Sequence, residues 1–545
     1  MTFDSTRTLG VATEVPAPAR AARSAWSLAL ILIAAVFVFR VAYLKWFSPF
    51  ELVGDESYYW EQARHPDLCY NEKGPALAWM IWASCRVLGD TEFAVRLPVV
   101  IASAFAAWGV GRLAMKLNDG DERVGLLSVV IFLLLPAFQA NAQICTQDGP
   151  LIALWIALAA IGLRLFHRWA AGQSTWADWM LMWSVLGIGT LFKQSILLFL
   201  PSLAIFWFLQ RRRLPLSGRL VIQQLVGALL FTLIISPMII WNAGHGWPML
   251  AHTLGHLGAG GDQLGRVNRG NPLSWFSVTL GGIAGAFGPA AIVLMCWACW
   301  HAYAKRWADQ ARWRDQLWLM CAAWPSVIFF LLLSLTKPVL ASWPLVSFGP
   351  LVVLMAQLAC SKLEQGDVWF RRTWSVLWIW GLVAWIVISF PTMLAYAPFA
   401  GKRLQSGVLN RMTGHRADAA ALQSALAMVK TPDGRPPLIV ARHYMMAGLD
   451  SFYLPDHPSI STAGKYLAKR STTFDQWSDT NLENPELHGR TLLLIGEGDV
   501  PWERGLIFDH REPLACNGEL FFIATNYQGP RPDYPRENGP RAGDD

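Results

Sequence analysis

Charge is the first thing this chain lacks. Only 15% of its 545 residues are Asp, Glu, Lys or Arg, against roughly a quarter in soluble proteins, so a fully water-facing surface is excluded. A disulfide framework is missing too. The eight cysteines are scattered, and the close pair Cys296 and Cys299 lies inside an apolar run with no second pair near it. Two small hydrophobes are expected there rather than a metal or redox site. There is no basic stripe. The net charge of +7 is carried in short clusters between apolar runs, which argues against nucleic acid as a partner and matches the loops of a membrane protein. A cleavable secretory signal is also absent: Arg7, Arg20 and Arg23 precede a long apolar span with no small-residue cleavage site after it, so an uncleaved first helix is expected.

What is present is hydrophobicity, at 54% of the chain, and 29 tryptophans. Runs of about 20 apolar residues, enough to cross ~30 Å of hydrocarbon, recur at 25–47, 92–115, 123–142, 149–170, 177–191, 195–210, 219–242, 273–303, 314–335, 339–361 and 372–397. With the N-terminal tail 1–24 in the cytoplasm, alternation puts Lys116, Arg123, Arg164, Arg168, Arg211, Arg212, Arg213, Arg219, Lys305, Arg306, Arg312, Arg314, Lys362, Arg371 and Arg372 in inner loops. That agrees with the positive-inside rule. The expected fold is therefore mainly α and polytopic, with about eleven transmembrane helices in 25–397 and long outer loops at 48–91 and 243–272. The apolar piece 75–89 is too short for a span and fits a re-entrant or interfacial helix. From 398 to 527 the composition changes: a helical stretch near Ala417–Val429 and strand-like runs Pro437–His443, Thr491–Ile495 and Leu520–Thr525 predict a small outer α/β domain. The stretch 528–545, rich in Pro, Arg and Gly, is expected to be disordered.

The ionisable residues fall together on the outer face. They come from Gly54-Asp55-Glu56-Ser57-Tyr58-Tyr59-Trp60, Tyr70-Asn71-Glu72-Lys73-Gly74-Pro75, Gln143 to Pro150 with Asp148, Phe192-Lys193-Gln194, Trp241-Asn242 through His245 and Trp247 to His252 and His256, and Thr336-Lys337-Pro338 with Trp343-Pro344. Singly, each has a bland reading as a solvated loop, a helix cap or a snorkelling lysine. Together they offer cations for a phosphate at the bilayer surface and a carboxylate that can take a proton from a hydroxyl. Polar groups at the membrane boundary are functional candidates for that reason. No Asp-x-Asp embedded in a βαβ nucleotide-binding pattern is visible, which favours a lipid-borne substrate over a soluble nucleotide sugar.

In this order, these segments resemble the bacterial GT-C glycosyltransferases related to aminoarabinose–lipid A transferases and protein O-mannosyltransferases. The resemblance is carried by Asp55-Glu56, Glu72-Lys73-Gly74-Pro75, Thr146-Gln147-Asp148-Gly149-Pro150-Leu151, Phe192-Lys193-Gln194, Trp241-Asn242 to Trp247, Lys337 with Trp343-Pro344, and the C-terminal Phe452-Tyr453-Leu454-Pro455 and Phe474-Asp475-Gln476-Trp477. It implies an inverting transfer from a polyprenyl-phosphate sugar donor to a lipid or protein acceptor, at the periplasmic face of a bacterial inner membrane. Asp55 would be the base, with Glu56 and Asp148 the other catalytic carboxylates. Lys73, Lys193 and Lys337 would hold the donor phosphate, and Tyr58, Tyr59, Asn242, His245 and Trp343 would line sugar or acceptor. A divalent metal (zinc, magnesium or manganese) on Glu72 with His252 or His256 is a further implication. The chain departs from the family pattern at Gly74, where a proline is usual, so a looser backbone after Lys73 is expected.

Two other classes compete. A flippase or transporter would carry charges at mid-helix and broken helices related by an internal repeat, whereas here charges sit mainly at helix ends and no repeat is visible. A polysaccharide polymerase or ligase shares the substrate type, but the Lys73 motif and the ordered C-terminal domain favour the transferase.

Overall fold

In a computed structural model of the chain, residues 24–257, 271–390, 410–467, 471–496 and 500–531 are described here. Expectations for the tail before Ser24, for the end of the span 372–397, for the domain boundary near 398 and for the stretch after Arg531 lie outside those residues.

Apolar composition makes the helices long, and local side chains fix where they start. Helix α1 (Ala25–Ala42) begins where the Ser24 hydroxyl accepts from Ser27 N–H and runs on as one wider turn, Tyr43–Phe47. After it come α2 (Gly54–Arg64), α3 (Ala76–Leu88), α4 (Glu92–Leu117), α5 (Glu122–Leu134), the short α6 (Pro136–Ala140), α7 (Asp148–Ala170), α8 (Trp176–Phe192), α9 (Phe199–Gln210) and α10 (Gly218–Gly244). The outer helix α11 (Pro248–Leu257) precedes α12 (Pro272–Phe287), α13 (Pro289–Ala304), α14 (Gln310–Leu333), α15 (Gly349–Glu364) and α16 (Val368–Ser389). Thr91, Ser217, Asp309 and Asp367 accept backbone N–H bonds at the starts of α4, α10, α14 and α16, satisfying donors that no helix can satisfy for itself.

Among the described residues, seven helices are long and apolar enough to cross a membrane alone, and eight if one bent pair counts as a span. Of the other four expected spans, each is either broken or too short to cross a membrane alone. The run 123–142 breaks at Leu135-Pro136, because proline disfavours a helical residue before it. The run 177–191 is the 17-residue α8, and 195–210 is a 3₁₀ turn leading into α9. The run 273–303 is not one rod: α12 and α13 meet at 93° around Gly288, whose φ of 89° is a conformation glycine adopts without strain. The segment expected to lie at the interface is the 13-residue α3, which buries Ala76, Leu77, Ala78 and Ile81 and leaves Trp82 and Val87 outside.

The bundle is pinned by aromatic side chains. Trp155 on α7 donates its indole N–H to the Ala322 carbonyl of α14, and Trp318 on α14 donates to Ala159 of α7, both at 2.8 Å. A buried indole needs such a partner, since lipid offers none.

Over the outer end sits the α/β domain. Its sheet runs β2 (Ser461–Thr462), β1 (Leu438–Ala441), β3 (Leu492–Ile495), β6 (Glu519–Thr525), β5 (His510–Cys516). The first two pairings are parallel and the last two antiparallel. The helix His415–Met428 and three of the strands fall where the sequence predicted them, while β5 and the helix Tyr444–Tyr453 were not foreseen. The first residues of the stretch 528–545, expected to be disordered, are ordered: β7 (Gly529–Pro530) pairs with β4 (Leu506–Ile507).

Candidate active site

The site grows from the start of α2. Asp55 and Glu56 are both in its first turn, one residue apart and therefore about 100° apart around the helix. That angle separates their fates. Glu56 is fully buried, and its two oxygens accept from Arg96 Nε at 2.9 Å and Nη2 at 2.7 Å. They also take the backbone N–H of Val53 and of Cys145. Arg96 in turn donates to the carbonyls of Phe50 and Glu51. Glu56, expected from the sequence as a second catalytic carboxylate, is held as a clamp that ties α2, α4 and the loop before α7 together. Asp55 projects outward and is exposed.

The Cys145 bond brings the start of α7 up to the start of α2. Asp148 opens α7 and forms a 2.7 Å ion pair with Lys193, the residue that ends α8. Tyr59 joins the two carboxylates. Its hydroxyl is held well above the usual phenol range by burial first, then by the nearby charge of Asp55, with Tyr444 and Asp148 adding and a hydrogen bond to Gln147 opposing. Asp55, Tyr59, Gln147, Asp148 and Lys193 are therefore one cluster. Two helix N-termini, of α2 and α7, converge there, an arrangement that favours negative charge.

The loop that carries Lys73 meets the end of α8 through a close backbone approach. A β-carbon on Gly74 would lie 2.1 Å from the Leu191 carbonyl oxygen. Only glycine lets the 73–75 loop press on the end of α8, two residues before Lys193. The backbone after Lys73 is consequently tight rather than loose. Lys337 is buried and donates from Nζ to the Gly255 carbonyl at 2.8 Å, tying its loop to α11.

Other expected contacts have different jobs. Tyr58 is buried and donates to Glu72 Oε2 at 2.7 Å, beside Thr473 of the outer domain, so it serves the domain interface and not a sugar. Asn242 is buried too: its amide donates to the Met238 carbonyl, and its oxygen accepts from Met249 N–H, bracing the turn from α10 to α11. His245 is exposed, stacks on Trp241 at 4.2 Å and makes a 2.7 Å bond to the Trp241 carbonyl. Trp343 meets the edge of His256 at 5.3 Å.

The metal reading fits poorly. His252 and His256 face each other at 2.8 Å through their Nε2 atoms. Glu72 has one oxygen committed to Tyr58 and the other, Oε1, buried without a hydrogen-bond partner. Yet no group of three His, Cys, Asp or Glu close enough to hold a metal occurs among the described residues, so no step is routed through one.

Sequence reasoning missed Arg96, although an arginine one turn into a long apolar helix was a signal. It also missed how firmly the outer domain grips the first loop. Tyr453 donates to Glu92 and accepts from Leu52 N–H, Arg64 donates to Ser451 and to the His457 carbonyl, and Gly448 lets its helix touch Ser57.

Residues 72–241, from the Lys73 loop to the end of α10, match the model of the family described as dolichyl-phosphate-mannose-protein mannosyltransferase. A lipid A galacturonosyltransferase of Rhizobium johnstonii is 23% identical over 74% of this chain and 80% of its own length. An undecaprenyl phosphate-aminoarabinose arabinosyl transferase of Erwinia tasmaniensis is 25% identical over 64% of this chain and 61% of its own. The aminoarabinose transferase ArnT of Cupriavidus metallidurans superposes with a TM-score of 0.61 at 14% identity, over 92% of this chain and 98% of its own. The chain is thus similar in fold to ArnT and in sequence to lipid A galacturonosyl and aminoarabinose transferases. The relatives named here are glycosyltransferases by name. The ArnT fold was also solved bound to undecaprenyl phosphate, with a TM-score of 0.58 to this chain.

Proposed function

We propose that this glycosyltransferase moves a sugar from a polyprenyl-phosphate donor to a hydroxyl of a lipid or protein acceptor, with inversion, at the periplasmic face of a bacterial inner membrane. The N-terminus is cytoplasmic and the α/β domain periplasmic in this reading. Asp55 takes the acceptor hydroxyl proton as the oxygen attacks the anomeric carbon. The bond from that carbon to the phosphate breaks on the opposite side, and the polyprenyl phosphate leaves with the electron pair. Lys193, Lys73 and Lys337 offset the growing phosphate charge, the largest contribution such a site can make. Asp148 keeps Lys193 oriented, and Tyr59 spaces the two carboxylates.

The observation that carries this reading is the contrast inside one helical turn: Glu56 is consumed by Arg96, while Asp55 stands exposed beside the Asp148–Lys193 pair. Turnover of Asp55→Asn on membranes with matched protein levels tests it. A positioned base contributes about 10²–10⁴-fold, so a loss of at least ~100-fold is expected with donor binding retained. A variant within a few-fold of wild type would reduce Asp55 to a helix cap, a role asparagine fills as well. Glu56→Gln should instead lower the amount of folded protein.

A further inference from the structure

At the opposite end of the bundle lies a cavity of about 170 Å³ that the transfer reaction does not use. It is walled by the last turn of α13, the first turns of α14 and the last turn of α15, with His301, Lys305, Arg312, Gln316, Gln357 and Ser361 among its lining residues. The 24 residues of α14, about 36 Å long, separate it from the Lys337 loop. It therefore faces the other leaflet.

Its charge is unbalanced. Arg312 donates only to the Asn118 side chain, and neither Arg312 nor Lys305 has a carboxylate partner among the described residues. The carboxylate on the rim, Asp309, accepts from the N–H groups of Ala311 and Arg312 as the cap of α14. Gln316, Gln357 and Asn118 form a hydrogen-bonded chain behind it. The cavity thus presents two fixed cations and neutral donors with one capped acid.

A second observation sets its depth. Trp300, Tyr303 and Trp307 are exposed around the same helix end, at 65%, 45% and 74%, and Arg306 lies on the Tyr303 and Trp307 rings at 3.8 and 5.1 Å. Exposed Trp and Tyr at the end of an apolar helix mark the headgroup level of a bilayer. Basic pockets between helices at that level suit anionic lipid headgroups.

We propose that this cavity binds the phosphodiester of an anionic phospholipid from the leaflet opposite the active site, with Lys305 and Arg312 as the charged contacts and Gln316 and Ser361 as neutral donors. Such a lipid would hold α13, α14 and α15 together where no protein ion pair does.

The test uses the purified full-length chain in neutral detergent, with bound lipid counted by native mass spectrometry and thermal unfolding followed in parallel. Phosphatidylglycerol, phosphatidylcholine and inorganic phosphate are the three probes. Wild type should retain and be stabilised by phosphatidylglycerol alone. Lys305→Gln and Arg312→Gln should each weaken that binding about fivefold, the worth of one basic residue near an anionic surface. Arg211→Gln, in another basic loop of the same face, should leave it unchanged. Equal retention of phosphatidylcholine would overturn the proposal, as would a double variant that binds like wild type. Protection by inorganic phosphate matching that by the lipid would assign the cavity to free anions and overturn the lipid reading. Should the double variant fail to fold, the single variants and the wild-type lipid preference decide.

Discussion

The two ends of the bundle use charge differently. At the outer end, charged pairs are buried and link residues far apart in sequence: Glu56 with Arg96, and Asp148 with Lys193. At the other end most pairs are exposed or partly exposed, as in Arg123 with Asp121 and Glu364, and Lys362 with Asp367. The exception there is Asp178, buried under Arg164 and Arg168 where α7 meets α8. Charge at the outer end therefore fixes geometry, whereas charge at the other end is mostly left in contact with solvent. Removing one partner of a buried pair leaves an uncompensated charge, while an exposed pair is worth little.

Breaking the outer clamp is the largest expected effect. Arg96→Ala should cost about 3–5 kcal/mol, seen as a loss of folded protein in detergent and as proteolysis in the α2 loop. If Arg96→Ala unfolds no more easily than wild type, burial of this pair has no structural meaning.

Gly74→Ala sharpens the comparison without touching a charge. The added carbon must push the Lys73 loop off Leu191, and a displacement near 1 Å can lower turnover by up to about 100-fold. Stability should change far less than turnover. A variant with wild-type turnover would show that Lys73 does not need this approach.

The outer domain contains a buried carboxyl of the opposite kind, one with no cation beside it among the described residues. Asp450 has its carboxyl pushed up to about 8 by burial, with Asp418 adding to the shift. The unfolded chain ionises this group from about pH 4, whereas the folded domain keeps its proton until about 8. Its contribution to stability is full below pH 4 and falls as pH rises to 8. Asp450→Asn should raise the unfolding temperature at pH 8, by at least about 4 °C, and make no difference near pH 4. A gain equal at both pH values would exclude titration as its cause.

The smallest effect is expected at the other end. Arg123→Gln breaks exposed pairs with Asp121 and Glu364 and should leave the unfolding temperature essentially unchanged. A larger loss in thermal unfolding would mean that both ends rely on charge for geometry.

The sequence by itself determined the membrane class, the seven long spans and the outer cluster of polar residues. Each of these follows from local composition: an apolar run must be helical to satisfy its backbone in lipid, and polar residues collect where the helices end. It also marked Asp55, Lys73, Asp148 and Lys193 as candidates. Tertiary structure decided which of them share a site. Asp55 and Glu56 are indistinguishable neighbours in sequence; only the arrival of Arg96, 40 positions on, turns one into a clamp and leaves the other exposed. Tyr58 and Tyr59 are parted in the same way, one taken by Glu72 and Thr473 of the outer domain, the other set between two carboxylates. Gly74 reads in the sequence as a loosened proline site, yet the backbone of Leu191 lies against it. The helix Tyr444–Tyr453 packs on α2 through Gly448, a contact across nearly 400 residues that no local pattern records. Propensity and hydropathy act over one or two helical turns, whereas a buried charge is defined by its partner, and that partner is supplied by the fold.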